Sequence, residues 1–151
     1  MSSPETDRSK LKYLYVSWGG SGRASCLRQA LERAEHDNAS LRYLAVLDNT
    51  AFSGIDDGMR EIVANELTWL LETQIDLARR QTNIDRRVRL LVESGEVGAL
   101  TAGIAKATNS TLILVGAPIP VSASQSVSEL LEAVRVATGL PVELIEPQLT
   151  V

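Results

Sequence analysis

The chain has 151 residues, enough for one domain that buries about 70% of the surface its unfolded form exposes. Its composition, 44% hydrophobic and 23% charged, is that of an ordinary globular protein. The net charge of −4 argues against a nucleic-acid binder and against a protein that binds anionic membranes, because both need a basic surface. No apolar run approaches the roughly 20 residues that cross a bilayer.

The first ten residues and the cysteine content predict where the protein acts. Residues 1–10 are polar and contain no apolar core, which predicts a flexible tail and not a secretory signal. The domain is then expected to cover residues 11–151. The single cysteine, Cys26, excludes an internal disulfide and fits a reducing compartment, so we expect a cytoplasmic protein.

The first half of the chain alternates strands and helices. A strand over residues 13–17 precedes a loop of small residues, and a helix follows with an apolar stripe from Ala24 to Ala34. A second strand, residues 41–47, ends at Asp48 and leads to a long second helix. The positions expected to form one buried stripe on that helix are Met59, Ile62, Val63, Leu67, Leu70, Leu71, Ile75 and Ala78.

The second half continues the same alternation. The third strand, residues 87–92, mixes arginine with apolar residues, as is typical of a sheet edge protected by charge. Gly95 closes it, and a third helix follows. Thr111–Gly116 is an unbroken apolar run that stops at a glycine, which indicates a strand buried on both faces. A fourth helix with Gly139 near its end leads to a last strand, residues 141–145.

This alternation predicts a doubly wound α/β fold, a parallel sheet with right-handed crossovers and helices on both faces. In such sheets a ligand crevice lies beyond the carboxyl ends of the strands, where Gly116 is expected. The sequence shows no Ser-His-Asp order, no paired carboxylates beside an apolar pocket and no P-loop, so we do not expect an enzyme. His36 is the only histidine and has no cluster of ligands around it, so we expect no metal site.

The order and spacing of these segments resemble the universal stress protein family over about Lys12 to Pro147. The segments that carry the resemblance are Gly19-Gly20-Ser21 with the helix to Ala34, Leu44–Asp48, Val92–Glu96, Leu112–Gly116 and the pair Pro141-Val142. The resemblance implies five parallel strands in the order 3-2-1-4-5, a Rossmann-like sheet of the adenine nucleotide alpha hydrolase-like kind, and usually a homodimer.

Many members of that family bind ATP through glycines that follow the fourth strand, in the pattern Gly, two residues, Gly, nine residues, then Gly with Ser or Thr. Glycines allow close approach, and backbone N–H groups receive the phosphate oxygens. This sequence keeps only Gly116: the second position holds Ile119, between Pro118 and Pro120, which have no N–H to donate. The last pair falls on Gln125-Ser126 or on Ser128-Glu129, and neither placement restores the pattern.

The adenine end of the resembled site also differs. Where relatives that bind ATP commonly have an aspartate at the end of strand 1, this chain has Ser17 or Trp18, and the indole ring is expected to fill the adenine space. Gly19 and Gly20 could bind an anion, but a tight turn between strand and helix also requires such glycines. A helix-capping box likewise accounts for Ser126. If a nucleotide binds, the expected contacts are Ser17, Trp18, Gly19, Gly20, Val46, Gly116, Gln125 and Ser126.

Three functions are consistent with these observations. The first is a regulatory or interaction module that acts in the stress response as a homodimer, has no family-type ATP site and requires no cofactor. The second is a switch that binds ATP or AMP, or a very slow ATPase; a flavodoxin-like carrier is the third. The dimer is expected at the last strand, a predicted edge with one charge, through Val142, Glu143, Leu144 and Ile145.

Overall fold

The computed structural model describes residues 11–18, 24–48, 56–116 and 127–146. Five strands and four helices alternate within these ranges. The strands are β1 (Lys12–Trp18), β2 (Ser40–Asp48), β3 (Val88–Gly95), β4 (Leu112–Gly116) and β5 (Val142–Ile145). The helices are α1 (Ala24–Asp37), α2 (Asp57–Thr82), α3 (Val97–Ala107) and α4 (Val127–Thr138).

All strand pairs in the sheet are parallel, and the strand order is β3-β2-β1-β4-β5. The predicted fold class and strand order are therefore confirmed. The register places Val16 of β1 beside Val115 of β4, and Gly116 beside Ile145 of β5. Strands β2 and β3 are added on one side of β1, and β4 and β5 on the other. The direction in which strands are added therefore reverses between β1 and β4, which is where a crevice forms in this architecture.

Two apolar layers cover the sheet, one on each face. On one face α1 and α2 pack over side chains such as Tyr15, Tyr43 and Leu114. On the other face α3 and α4 pack over side chains such as Leu14 and Ile113. Every residue of β4 is buried, as its unbroken apolar sequence predicts. No helix in the described ranges has an apolar stretch that would reach across a membrane.

Two positions near the strand–helix junctions are set by backbone geometry. Gly95 ends β3 with φ at 151°, and a Cβ there would lie 3.1 Å from Cδ1 of Leu100. Glu96 follows as the N-cap of α3, and its carboxylate accepts a hydrogen bond from the backbone N–H of Ala99 at 2.6 Å. The prediction that Gly95 closes the strand is confirmed, although β3 extends further than the predicted residues 87–92.

The basic residues beside β3 have two different roles. Arg87 and Arg89 are exposed at the sheet edge, as expected of charges that protect it. Arg86 instead donates to a carboxylate oxygen of Glu35 at 3.0 Å and to the carbonyl oxygen of Ala39 at 2.7 Å. Arg86 therefore stabilises the connection between α1 and β2.

The apolar stripe predicted for α2 is also wrong in part. Leu71, Ile75 and Ala78 are buried against the sheet, but Met59 and Leu70 are exposed, and Ile62 is exposed beside them. The helix is 26 residues long, and its apolar positions form two faces that point in different directions. Spacing by three and four residues detects both faces without showing which one meets the sheet.

An ion-pair network ties α1 to the edge strand β5. Arg33 donates to both carboxylate oxygens of Glu143, at 2.7 and 3.1 Å, and to Asp37 at 2.9 Å. Asp37 also accepts a hydrogen bond from the Tyr13 hydroxyl at 2.5 Å. The hydrogen bond from Arg33 lowers the pKa of Glu143, and those from Tyr13 and Arg33 lower the pKa of Asp37. The network neutralises the one charge on β5.

The lowered pKa of Glu143 predicts a small loss of stability in acid. The stabilisation is present above the ordinary carboxyl pKa and is lost as the pH falls through the lower pKa of the folded state. Since both side chains are partly exposed, Glu143→Gln is expected to cost less than about 1 kcal/mol at pH 7 and to reduce the acid sensitivity. Thermal melting at pH 7 and pH 3 measures both effects. Glu72→Gln, an exposed position on α2, is the control, and equal acid sensitivity in both variants would contradict the prediction.

Candidate functional site

The candidate site lies at the carboxyl ends of β1 and β4, where the strand order reverses. Of the residues predicted to contact a nucleotide, Ser17, Val46 and Gly116 are described in full. Trp18 ends β1, but its side chain, like all of Gly19, Gly20, Gln125 and Ser126, lies outside the described part of the chain. The indole plug, the glycine turn and the capping box therefore stay predictions.

The described site residues do not converge on one face of the sheet. Ser17 lies on the α1 and α2 side, where its hydroxyl is 2.9 Å from that of Tyr43. Val46 is buried in the opposite layer with Val16 and Leu44. A ligand on the Ser17 side could therefore meet the backbone of Val46 but not its side chain.

Gly116 is in contact with a side chain that the sequence analysis did not single out. A Cβ built on Gly116 would lie 2.6 Å from the hydroxyl oxygen of Tyr15 and 3.2 Å from two of its ring carbons. Tyr15 is fully buried, so its ring cannot swing into solvent to make room. The packing of Tyr15 is thus sufficient to require glycine at position 116, without any phosphate.

Tyr15 forms an aromatic pair with Tyr43 across the neighbouring strands. The ring centroids are 4.8 Å apart in an edge-to-face arrangement, with an interplanar angle of 63°. Both tyrosines are fully buried, and burial raises the pKa of each phenol above its ordinary value. Both phenols therefore stay neutral at physiological pH.

The two hydroxyl groups of this pair are in different situations. That of Tyr43 is satisfied by Ser17, whereas that of Tyr15 is buried and has no hydrogen-bond partner among the described residues. An unpartnered buried hydroxyl costs about 1–3 kcal/mol. Cys26 lies in the same layer, fully buried, with its sulfur 3.5 Å from the carbonyl oxygen of Ile145, which supports packing over redox chemistry.

A separate cleft of about 230 Å³ lies beyond β2, near the start of α2. Its apolar lining is Leu47, Val63, Ala64 and Val92, and its polar lining is Arg60, Glu61, Glu93 and Ser94. The Nε of Arg60 is buried and has no partner in the described ranges. Two carboxylates beside one arginine give the cleft mixed charge, which does not suit a phosphate group. Sequence reasoning missed this cleft because its residues come from three separate elements.

Among the described residues, the tyrosine pair and Ser17 around Gly116 offer two neutral phenols and a hydroxyl. Within residues 11–18, 24–48, 56–116 and 127–146, no three His, Cys, Asp or Glu side chains come together in a way that could hold a metal ion. The described part of the site is therefore a packed aromatic surface, with hydrogen-bonding capacity at Ser17 and Tyr15.

The chain is similar to proteins of one known family. The model of the universal stress protein family matches residues 19–127. Comparison with curated proteins finds no match. A universal stress family protein from Burkholderia pseudomallei has a similar structure, with 19% identity, a TM-score of 0.61 and coverage of 93% of this chain and 98% of that chain.

Two further similar structures contain nucleotides. One is the universal stress protein from Archaeoglobus fulgidus in complex with dAMP, with 18% identity, a TM-score of 0.58 and coverage of 89% and 97% of the two chains. The other is a universal stress protein in complex with cAMP, with 14% identity, a TM-score of 0.56 and coverage of 91% and 98%. At these identities the likeness establishes the fold alone.

Proposed function

The chain belongs to the universal stress protein family, and we propose that it acts there as a cytoplasmic, homodimeric regulatory or interaction module without family-type ATP binding. In this proposal the protein catalyses no reaction and requires no cofactor. Its ligand crevice is filled by the protein's own side chains, and its surfaces carry the function.

The observation that supports this proposal is the packing of Tyr15 against Gly116. In relatives that bind ATP, the resemblance implies that this glycine begins the loop around the phosphates. Here the buried phenol of Tyr15 packs against this glycine. A Cβ on Gly116 would lie 2.6 Å from the tyrosine oxygen. Pro118, Ile119 and Pro120, which follow in the sequence, remove two backbone donors and the second glycine.

The second candidate is a switch that binds an adenosine monophosphate. The complexes of similar proteins with dAMP and cAMP favour it, since these ligands need fewer phosphate donors than ATP does. The half-buried hydroxyl group of Ser17 lies at the end of β1, where a ligand could meet it. This candidate requires that the crevice keep room for a purine.

Titration calorimetry with ATP, AMP and cAMP separates the two candidates. We expect millimolar or undetectable binding of ATP, because Pro118 and Pro120 after Gly116 have no backbone N–H to donate and the motif's second glycine is replaced by Ile119. Analysis of the denatured, purified protein for released nucleotide checks whether a ligand was already bound. Low-micromolar ATP binding, or a full equivalent of co-purified adenine nucleotide, would overturn the proposal, and low-micromolar AMP or cAMP binding would establish the second candidate.

The strand edge at β5 supports the proposed homodimer. In the described part of the chain β5 pairs only with β4, which leaves its other edge open. Arg33 neutralises Glu143, the single charge that would discourage another strand from pairing there. Two copies related by a two-fold axis could then extend the sheet through residues 142–145.

A further inference from the structure

Apolar side chains are exposed along one face of α2. Of the seven large apolar residues exposed in the described part of the chain, five belong to this helix: Met59, Ile62, Trp69, Leu70 and Leu77. Trp69 is the most exposed of them, at 73%. At roughly 100° per residue the five fall within an arc of about 100°, nearly opposite the buried Leu71, Ile75 and Ala78. The sheet covers one apolar face of α2 and leaves this second one, the α2 outer face, uncovered.

We propose that the α2 outer face binds the same face of a second copy of the chain, with the two helices antiparallel. A large exposed apolar patch marks an interaction surface, and a two-fold axis makes such a patch its own partner. The helix has 26 residues and is about 39 Å long, which provides an extended contact. This contact uses no residue of the β5 edge, so it does not depend on the proposed strand-edge dimer.

The distribution of charge along α2 selects a second copy in the antiparallel direction. Residues 57–72 contain four acidic side chains and one basic side chain, a net charge of −3. Residues 73–82 contain one acidic and two basic side chains, a net charge of +1. Antiparallel pairing places the acidic part of each helix beside the basic end of the other, whereas parallel pairing places acidic beside acidic. The net charges therefore favour the antiparallel orientation, although Arg79 and Arg80 also pair within the chain, with Asp85 and Asp76.

The positions of the apolar residues agree with that orientation. When the two-fold axis passes between Trp69 and Leu70, these two residues meet their counterparts at the centre of the contact. Ile62 and Leu77 each lie about 11 Å from the centre along the helix, on opposite sides, so Ile62 of one copy faces Leu77 of the other. Tryptophan near the centre of an interface is often an energetically dominant contact.

Cysteine cross-linking tests the contact and its direction together. Two copies of Leu70→Cys would be about 1.5 Å apart along the helix axis, whereas two copies of Leu77→Cys, on the same face, would be about 22 Å apart. We expect Leu70→Cys to form an intermolecular disulfide at least about tenfold faster than Leu77→Cys under mild oxidation. The wild-type protein gives the background, because its own Cys26 is fully buried. Equal rates for the two variants, or no cross-linking by Leu70→Cys above background, would overturn the proposal.

Sedimentation of the full chain tests the same surface without cysteine. Trp69→Glu is expected to abolish association through this face, and so to lower the mass of the assembly, at tens of micromolar protein. The matched control is Val136→Glu on α4, which is as exposed as Trp69 at 74% and is expected to leave the mass unchanged. Cross-linking through Leu70→Cys should persist when Leu144→Lys weakens the β5 edge, with folding checked by circular dichroism. An unchanged mass for Trp69→Glu would contradict the proposed contact.

Discussion

Replacing Gly116 by alanine is expected to lower the free energy of unfolding by about 1–3 kcal/mol, because the new methyl group would overlap Tyr15. The added carbon would lie 2.6 Å from the tyrosine oxygen, a distance that real side chains do not show. Tyr15 is packed against Tyr43 and fully buried, so relief requires a shift of the core. The backbone at Gly116 does not have a positive φ, so alanine introduces no backbone strain of its own.

A double-mutant cycle with Tyr15→Phe identifies the cause. Phenylalanine removes the overlapping oxygen and leaves ring carbons 3.2 Å from the new methyl group, which is tight but tolerable. It also removes a buried hydroxyl that has no partner among the described residues, so Tyr15→Phe alone is expected to stabilise the protein by about 1 kcal/mol. The alanine substitution should then cost about 1–2 kcal/mol less in the phenylalanine background than in the wild type.

Urea denaturation measures the four corners of this cycle, with the dependence on denaturant checked for constancy. Gly103→Ala is the matched control, since a Cβ at that exposed helical glycine meets nothing within 4 Å. It should stabilise the protein by about 0.5–1 kcal/mol, as alanine does in helix interiors. Strictly additive effects of the Gly116 and Tyr15 substitutions would show that the tyrosine is not what requires the glycine.

The alternation of strands and helices and the burial of β4 on both faces could be predicted from the sequence because each follows from local composition. An unbroken apolar run such as Thr111–Gly116 can only be buried on both faces, and alternating strands and helices leave few topologies. The family resemblance then supplied the order 3-2-1-4-5, which the structure confirms.

The contact between Tyr15 and Gly116 could not be predicted in the same way. It depends on the register between β1 and β4, in which Tyr15 lies beside Leu114, and on a side chain that reaches two residues further along the neighbouring strand. Local patterns do not encode that register across about a hundred residues. The weak signal that was available is the tyrosine itself, a polar tip at an inward position of a strand that leads to the expected crevice.

The orientation of α2 escaped prediction for a related reason. Helical periodicity shows that Ile62 and Leu71 are apolar positions, but both faces of the helix satisfy the same spacing. Which face packs on the sheet is decided by the paths of β2 and β3, and these bury Leu71 while Ile62 stays exposed. The uncovered apolar face of α2 can therefore be identified only from the folded structure.

The second large effect on stability is expected when the hydrogen bond between Ser17 and Tyr43 is removed. Ser17→Ala should lower the free energy of unfolding by about 1–3 kcal/mol, because it leaves the hydroxyl of Tyr43 buried without a partner. Tyr43→Phe should cost less, about 0.5–1.5 kcal/mol, since Ser17 is only half-buried and its hydroxyl can turn to water. The double variant should be about as stable as Tyr43→Phe alone.

These variants also test the proposed function, because the resemblance places Ser17 or Trp18 where relatives that bind ATP commonly have an aspartate. If the Ser17 hydroxyl bonds to Tyr43 and does not contact adenine, Ser17→Ala is expected to lower the stability. The heat of mixing with ATP or AMP should then stay at the level of the wild type. Melting of each variant with and without nucleotide adds a second measurement, since a ligand that binds the folded state raises the melting temperature. A nucleotide-dependent rise in the wild type that disappears in Ser17→Ala would show that the hydroxyl contacts a ligand, and the crevice would then be a working site.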